Sequence, residues 1–258
     1  MFSRKSEKPK ISNISTSESK FISNFPINLD TKIIPIVFHV IHDGHPIGED
    51  ENISVEQIED VVSIMNADFS ASNSDLENVI DEFENIVGNA NIEFRLAKLD
   101  PEGNCTSGIN RIASNMSNQA NDCIKELIAW DDAKYVNIWV VEDIENSIGA
   151  AAYTYLPGTL WGDEVEGIII NHEYVGSIGA SSNTPYKRHT LSHEFGHYFN
   201  LSHTWGWGEN GNTDNCFADD DVSDTPNTIG AYSTSNLSQE TCGGLDNIQN
   251  FMDYSSCT

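Results

Sequence analysis

Three histidines and a glutamate fall within eleven residues, HEFGHYFNLSH, His193 to His203. On a helix His193 and His197 lie about 40° apart in azimuth and roughly 6 Å apart along the axis, on one face. Both imidazoles then reach one ion, and Glu194 reaches a water on that ion. This is the HExxH arrangement, two zinc ligands and a general base. A catalytic zinc keeps three protein ligands plus water. The third candidate is His203, which on a continuing helix would stand roughly 15 Å beyond His193 and on another face. It joins only if the helix ends between His197 and His203 and the chain turns back. Helix ends of that kind place a left-handed residue after the cap, mostly Gly and next most often Asn. Asn200 is therefore expected to be the residue where the helix stops.

The elements that must carry these residues are legible in outline. IIPIVFHVIHDG, from Ile33, is strongly β-prone and ends at a turn, so it reads as a buried central strand. In ISVEQIEDVVSIMNADF, Ser54 and Gln57 have capping-box spacing and Ile53 and Ile58 that of a hydrophobic staple. Ile58, Val61, Val62, Met65 and Phe69 then share one helical face. SDLENVIDEFENIVG reads as a second helix or as a helical turn and loop. NIEFRLAKLD alternates as a half-buried strand and DPEGN closes it with turn chemistry. Cys123 to Trp130 is helical in composition. KYVNIWVVED, IGAAAYTYLPG and EVEGIIINHEYVG read as three further strands. Strand and helix alternate up to His203, so this part reads as α/β. Beyond it Gly, Asn, Asp, Ser and Thr dominate. The division expected is a flexible leader over 1–30, an upper subdomain over 31–203 and a lower subdomain over 204–258.

Charge excludes some function classes. Lys plus Arg number 13 against 40 Asp plus Glu, a net charge of −27. Such a surface repels nucleic acid and anionic lipid, so no nucleic-acid partner is expected. No run approaches the ~20 apolar residues that cross a bilayer. The acidity reads either as solubility or as bound calcium. No cysteine pair is spaced as CxxC, so a cysteine zinc ribbon is not expected. The five cysteines are an odd number, leaving at least one unpaired within the chain.

HExxHxxxxxH is the zinc signature of the metzincins, and the wider text resembles the pappalysin family of metalloproteases (peptidase family M43). The matching stretches are IPIVFHVI, the capped helix leading to MNADF, KYVNIWVV, EGIIINHEYVGSIG, HTLSHEFGHYFNLSHTWG, DDDVSDTPNT and QNFMDYS. Only the leader falls outside them. The resemblance implies a zincin fold of α/β (α+β) class, with a twisted five-stranded mixed sheet, a backing helix, an active-site helix and a small irregular lower subdomain. It implies an endopeptidase acting on proteins or peptides, with zinc on His193, His197 and His203. Glu194 would be the catalytic base. Met252 would be the Met-turn beneath the metal, and Tyr254 would contact zinc or the reacting carbonyl. A core tyrosine is the alternative at Tyr254. Substrate would lie antiparallel to an edge strand, for which Gly149 to Tyr155 is the match. An ordinary strand with a glycine bulge is the alternative there.

Other implications concern the lower part. Asp219, Asp220, Asp221, Asp224 and Thr225 resemble a segment that binds calcium in some relatives; a solvated acidic turn is the alternative. Cys216 and Cys242 match positions that are disulfide-bonded to each other. Cys257 is then left without its usual partner, and Cys105 with Cys123 is a further pair to consider. His39, His42, His45 and His172 lack ligand spacing and read as structural or exposed. His189 reads as a helix-start residue or one supporting the metal ligands. Three departures from the family stand out. Asn200 replaces a glycine. The chain stops at SSCT where relatives continue, so the lower subdomain is expected to be truncated. No acidic residue follows Asp253, so arginine specificity does not carry over.

The leading expectation is a secreted zinc endopeptidase. Secretion follows from the resemblance and the cysteines, since no apolar h-region follows MFSRKSEKPK. A catalytically inactive or weakly active binding module on the same fold is the alternative. A toxin-like protease acting inside a host is a third reading.

Overall fold

The run KIIPIVFHVIH forms the longest strand, β1 (Lys32–His42). Its alternate residues point to opposite faces of the sheet, and both faces are covered. The computed structural model describes residues 31–145, 150–159, 165–182, 184–232 and 236–256. The expected leader (1–30), Gly149 and Cys257 lie outside these residues. The remaining elements of the sheet region are α1 (Val55–Phe69), α2 (Asp81–Glu84), β2 (Ile92–Leu96), β3 (Ile109–Ala113), β4 (Val136–Val141), β5 (Ala152–Thr154), β6 (Gly167–Asn171) and α3 (Thr190–Tyr198).

The strand order is β2-β1-β4-β6-β5, with β3 also pairing β1. The expected sheet of five positions is present, but six strands build it. β2 pairs Lys32 to Ile36 and β3 pairs Phe38 to His42, both parallel, along the same edge of β1. Every pairing in this sheet is parallel except β5 on β6. Parallel strands buried on both faces read as continuous apolar runs, and every residue of VNIWVV and GIIIN is buried. Ile36, Phe38, Val40, Ile138, Val140, Ile168 and Ile170 face α1 and α3. Ile41, Trp139, Val141 and Ile169 face the opposite cover, built from Ala120, Ile124 and Ile144. Leu191 and Phe195 are fully buried and seat α3 in the first of these layers. Each such side chain contributes ~1.5–3 kcal/mol.

Two local expectations change. Ser54 caps α1 by accepting from the Gln57 amide at 3.1 Å, but the return arm of a capping box is absent. The Gln57 side chain is fully buried and turns inward. Its Nε2 donates to the Val175 carbonyl at 2.9 Å and its Oε1 accepts from the Ala180 amide at 2.9 Å. The loop between β6 and α3 is thereby fastened to α1. Gly179 lies so close that a Cβ there would stand 2.4 Å from Gln57 Oε1. The segment after α1 is a 3₁₀ turn over Ser74–Asn78 followed by the single-turn α2, which is the turn-and-loop reading. Cys123 to Trp130 holds only a 3₁₀ turn over Asp122–Glu126. Its end is held by Asn137, which bonds both the amide and the carbonyl of Trp130.

Beyond α3 regular structure nearly ceases. A hairpin of β7 (Glu240–Thr241) and β8 (Gly244–Leu245) is joined by a disulfide, Cys216–Cys242, to the 3₁₀ turn Thr213–Phe217. Polar groups supply the interior here: buried Asp246 accepts from the Thr241 amide at 3.1 Å and from Gln239 Nε2 at 2.8 Å. Cys105 and Cys123 are not a pair. Both are free and exposed, one on the turn after β2 and the other in the 3₁₀ turn before Trp130.

Gln57→Leu keeps the volume but leaves the Val175 carbonyl and the Ala180 amide without partners. It is expected to destabilise the fold by about 2–4 kcal/mol, read from urea unfolding.

Candidate metal centre

α3 carries His193 and His197 on one face, with ring centroids 4.6 Å apart. The helix then ends as the third histidine requires. Asn200 has φ +74°, its amide donates to the His197 carbonyl at 2.8 Å, and the Leu201 amide donates to the Gly196 carbonyl at 2.9 Å. These two bonds with a left-handed C′ residue form a Schellman motif. The reversal brings the His203 ring to 4.5 Å from His197 and 5.2 Å from His193. One nitrogen from each of the three rings lies within 4.8 Å of the others, and no other such His, Cys, Asp or Glu group occurs among the described residues.

The hydrogen bonds around the rings decide what the cluster suits. His193 Nδ1 is 2.6 Å from the Phe251 carbonyl, and His197 Nδ1 is 2.8 Å from the Leu201 carbonyl. A carbonyl only accepts, so each Nδ1 carries the proton and each Nε2 presents a lone pair. His197 Nε2 and His203 Nε2 meet at 3.0 Å. Burial lowers all three imidazoles from their ordinary value, His193 to about 4 and His203 to about 3, with repulsion between the rings adding to it at these two. Neutral, converging imidazole nitrogens with oriented outer nitrogens fit a tetrahedral zinc-type ion. His203 is steadied from behind by Trp205, stacked at 4.4 Å with planes 5° apart.

Met252 packs under the helix. A Cβ on Gly196 would lie 2.2 Å from the Met252 sulfur, so only glycine lets the two segments meet. Met252 and Asp253 also hold the chain just past the third histidine. The Thr204 amide donates to the Met252 carbonyl at 3.3 Å, and Thr204 Oγ1 donates to Asp253 at 2.8 Å. The other Asp253 oxygen accepts from the Ala231 amide at 3.1 Å. Burial pushes the Asp253 carboxyl up to about 6 despite these donors.

Glu194 is buried, and its Oε2 has no hydrogen-bond partner. Burial alone pushes its carboxyl up to about 8; a dication beside it acts in the opposite direction. Tyr254 stands across the site, its ring 5.5 Å from His193 and 4.7 Å from His203. Desolvation, and after it the Glu194 charge, push its phenol up to about 12, so it remains a donor. These groups open on a cleft of about 400 Å³ that Ala150, Ala151, Ala152, Tyr174 and Tyr186 also line. β5 forms the end of the sheet beside that cleft.

The structure thus brings together His193, Glu194, His197, His203, Met252 and Tyr254, and pairs Cys216 with Cys242. Among the described residues Asp219, Asp220, Asp221 and Asp224 form no comparable cluster of converging ligand atoms. Asp219 and Asp220 each accept from the backbone amide two residues on, those of Asp221 and Val222. Two participants escape a reading of the sequence, Asp68 and Asp75. Their oxygens lie 2.8 Å and 3.0 Å from the two ring nitrogens of His189. A signal is present at Asp68, a carboxylate between Met65 and Phe69 on the apolar face of α1.

Known proteins resemble this chain in family pattern, in sequence and in fold. The family model described as pregnancy-associated plasma protein-A, peptidase M43, matches residues 118–258. An extracellular metalloprotease of Neurospora crassa is 33% identical over 130 residues, 47% of this chain and 41% of that protein. An extracellular metalloprotease of Arthroderma gypseum is 25% identical over 244 residues, 93% of this chain and 69% of that protein. The chain spans less than half the length of the first curated relatives it matches. Among solved structures, mirolysin in complex with a compound superposes with a TM-score of 0.74 at 31% identity, covering 89% of this chain and 86% of that one. Mature mirolysin of Tannerella forsythia in complex with a cleaved peptide gives 0.70 at 31% identity, covering 88% and 86%.

Two outcomes follow from this geometry. Asn200→Gly is expected to bind zinc as the wild type does. Asn200→Val, a β-branched residue forced to positive φ at a cost of about 1–3 kcal/mol, is expected to bind roughly tenfold more weakly in a chelator-competition titration. The second concerns pH. The raised Asp253 value means that the folded chain holds more protons than the unfolded chain between about 3.8 and 6. Its contribution is fully present below that window and is lost as pH rises through about 6, on the order of 2–3 kcal/mol. Denaturant midpoints from pH 4 to 7.5 should therefore vary less with pH in Asp253→Asn than in the wild type.

Proposed function

Because the chain belongs to the peptidase M43 family of metalloproteases, we propose that it is a zinc-dependent endopeptidase that hydrolyses peptide bonds in proteins or peptides. The observation that carries this reading is the convergence of three imidazole nitrogens within 4.8 Å of one another on a segment that also carries Glu194, a buried carboxyl with an unpartnered oxygen lining an open cleft beside His193. His193, His197 and His203 would hold the zinc, which when bound supplies Lewis acidity toward a scissile carbonyl and toward water. Glu194 takes the proton from the attacking water and delivers it to the leaving amine. Its low-dielectric surroundings raise its basicity and so favour the first of these transfers. The Tyr254 hydroxyl donates to the carbonyl oxygen as negative charge develops there. Met252 acts by packing alone.

β5 offers the route for the substrate. It ends the sheet order, and Ala150, Ala151 and Ala152 leave room for a second backbone. An extended peptide adding to this edge gains main-chain hydrogen bonds in a fixed register. Mature mirolysin forms a complex with a cleaved peptide, which supports a peptide-binding role for the cleft. Secretion is part of the same proposal. It is supported by the relatives, which are extracellular metalloproteases, and by the Cys216–Cys242 bridge. No helix among the described residues is long and apolar enough to cross a membrane. Calcium on the 219–225 loop is part of the same proposal, since Asp219 and Asp220 each engage a backbone amide through only one carboxylate oxygen. A calcium-dependent rise in Tm that Asp224→Asn abolishes would show that it binds there.

The test is hydrolysis of a quenched-fluorescence peptide library by the zinc-loaded chain. Cleavage should stop with chelator and return with zinc. Glu194→Gln should lower kcat by ~10²–10⁴ while one zinc per chain is retained. Zinc bound at His193, His197 and His203 with no cleavage of any peptide would instead identify a binding module on this fold.

A further inference from the structure

His189 begins α3 four residues before His193, yet it does not cap the helix, for its side chain makes no capping bond. It is buried, and both ring nitrogens face carboxylates: Nδ1 lies 2.8 Å from Asp68 Oδ2 and Nε2 lies 3.0 Å from Asp75 Oδ2. The ring is thus held between carboxylate oxygens on two sides. Asp68 sits in the last turn of α1, and its Oδ2 also accepts from Ser192 Oγ at 2.6 Å. The start of α3 is thus pinned to the end of α1 through one buried carboxylate. The other face of the network carries the consequence for the site. The His189 ring stacks on the ring of Phe251, centroids 5.1 Å apart and planes 29° apart. Phe251 supplies the carbonyl that holds His193 Nδ1.

Phe251 needs this support. It lines the substrate cleft on one side, and on the other it lines a second cavity of about 260 Å³ that also borders Asp68, Asp75 and Asp224. A residue between two cavities lacks the close packing that normally fixes a core side chain. What stacks on it here is the His189 ring, itself held between the carboxylates of Asp68 and Asp75.

We propose that His189, clamped by Asp68 and Asp75, is a positioning residue for the metal centre: it holds Phe251 so that the Phe251 carbonyl orients His193. The proposal rests on the zinc reading above. Groups that orient metal-bound imidazoles typically change metal affinity or activity by about 10- to 100-fold when removed. A plain structural staple would lower stability without changing the metal.

The test compares wild type, His189→Gln, Phe251→Leu and His189→Arg, each as the full chain. Zinc affinity is read by chelator competition, the cobalt-substituted protein by its visible spectrum, and peptide cleavage by kcat and KM separately. His189→Gln and Phe251→Leu are each expected to weaken zinc binding about tenfold or more, shift the cobalt bands and lower kcat with KM little changed. His189→Arg presents planar donors to both carboxylates and a flat face to Phe251, and is expected to recover most of the affinity. If His189→Gln does not fold, Phe251→Leu decides alone. Wild-type zinc affinity and an unchanged cobalt spectrum in the variants, with only Tm lowered, would overturn the proposal and leave the zinc reading intact. A wild-type chain whose zinc content is indifferent to His197→Ala would overturn both.

Discussion

A straight helix cannot bring ligands spaced as His193, His197 and His203 to one point, so the centre depends on a reversal made within a few residues. That reversal is the left-handed turn at Asn200. It does more than redirect the chain. The Leu201 amide closes the helix on Gly196, and the Leu201 carbonyl, delivered by the same turn, accepts from His197 Nδ1. The conformation that ends the helix therefore also selects the tautomer of the second ligand. Asparagine serves because its short polar side chain tolerates positive φ better than other non-glycine residues.

The two halves of the site are held by different forces. His193, Glu194 and His197 ride on a helix seated by Leu191 and Phe195 in an aromatic and aliphatic layer that includes Phe94, 4.4 Å from Phe195. His203 belongs to a region with little regular structure, and its position is set by polar ties and stacking. Thr204 is bound to Met252 and Asp253, Asp253 is bound to Ala231, and Trp205 lies against the ring. Gly196 is where the two regimes touch, its missing side chain making room for Met252. Apolar burial is non-directional and tolerates small shifts, whereas a chain of hydrogen bonds fails at any one link. The third ligand is thus the one whose placement depends on few interactions.

How much of this is legible in the sequence depends on how local the cause is. β1, α1, β4 and β6 are readable because apolar runs and caps act over a few residues. The helix stop at Asn200 is readable because the spacing of the histidines demands it. The division of one sheet edge between β2 and β3 is not, since Ile109 to Ala113 pairs with a strand far earlier in the chain, Phe38 to His42. Gln57 misleads for a related reason. Its spacing from Ser54 fits a capping box, but the Val175 carbonyl, 118 residues away in sequence, competes for its side chain. Asp68 and His189 are separated by 121 residues, and nothing in local pattern links them. A carboxylate on an apolar helix face is nonetheless a readable anomaly, because burial without a partner would be too costly to keep.

That anomaly bears on how the centre is built. The two carbonyls that orient ligand rings, Phe251 and Leu201, lie on the segments flanking the active-site helix, one beneath it and one just past its end. The Leu201 carbonyl is fixed by backbone geometry within the same turn. The Phe251 carbonyl sits in a turn closed by the Asp253 amide on the Asn250 carbonyl at 2.9 Å, on a segment 58 residues from His193 that borders two cavities. The Phe251 ring stacks on that of His189, and the carboxylates at the two His189 nitrogens fix the His189 ring in turn. That ring stands one turn before His193, so the group that bears on Phe251 and the ligand that Phe251 orients are carried by one short stretch of chain.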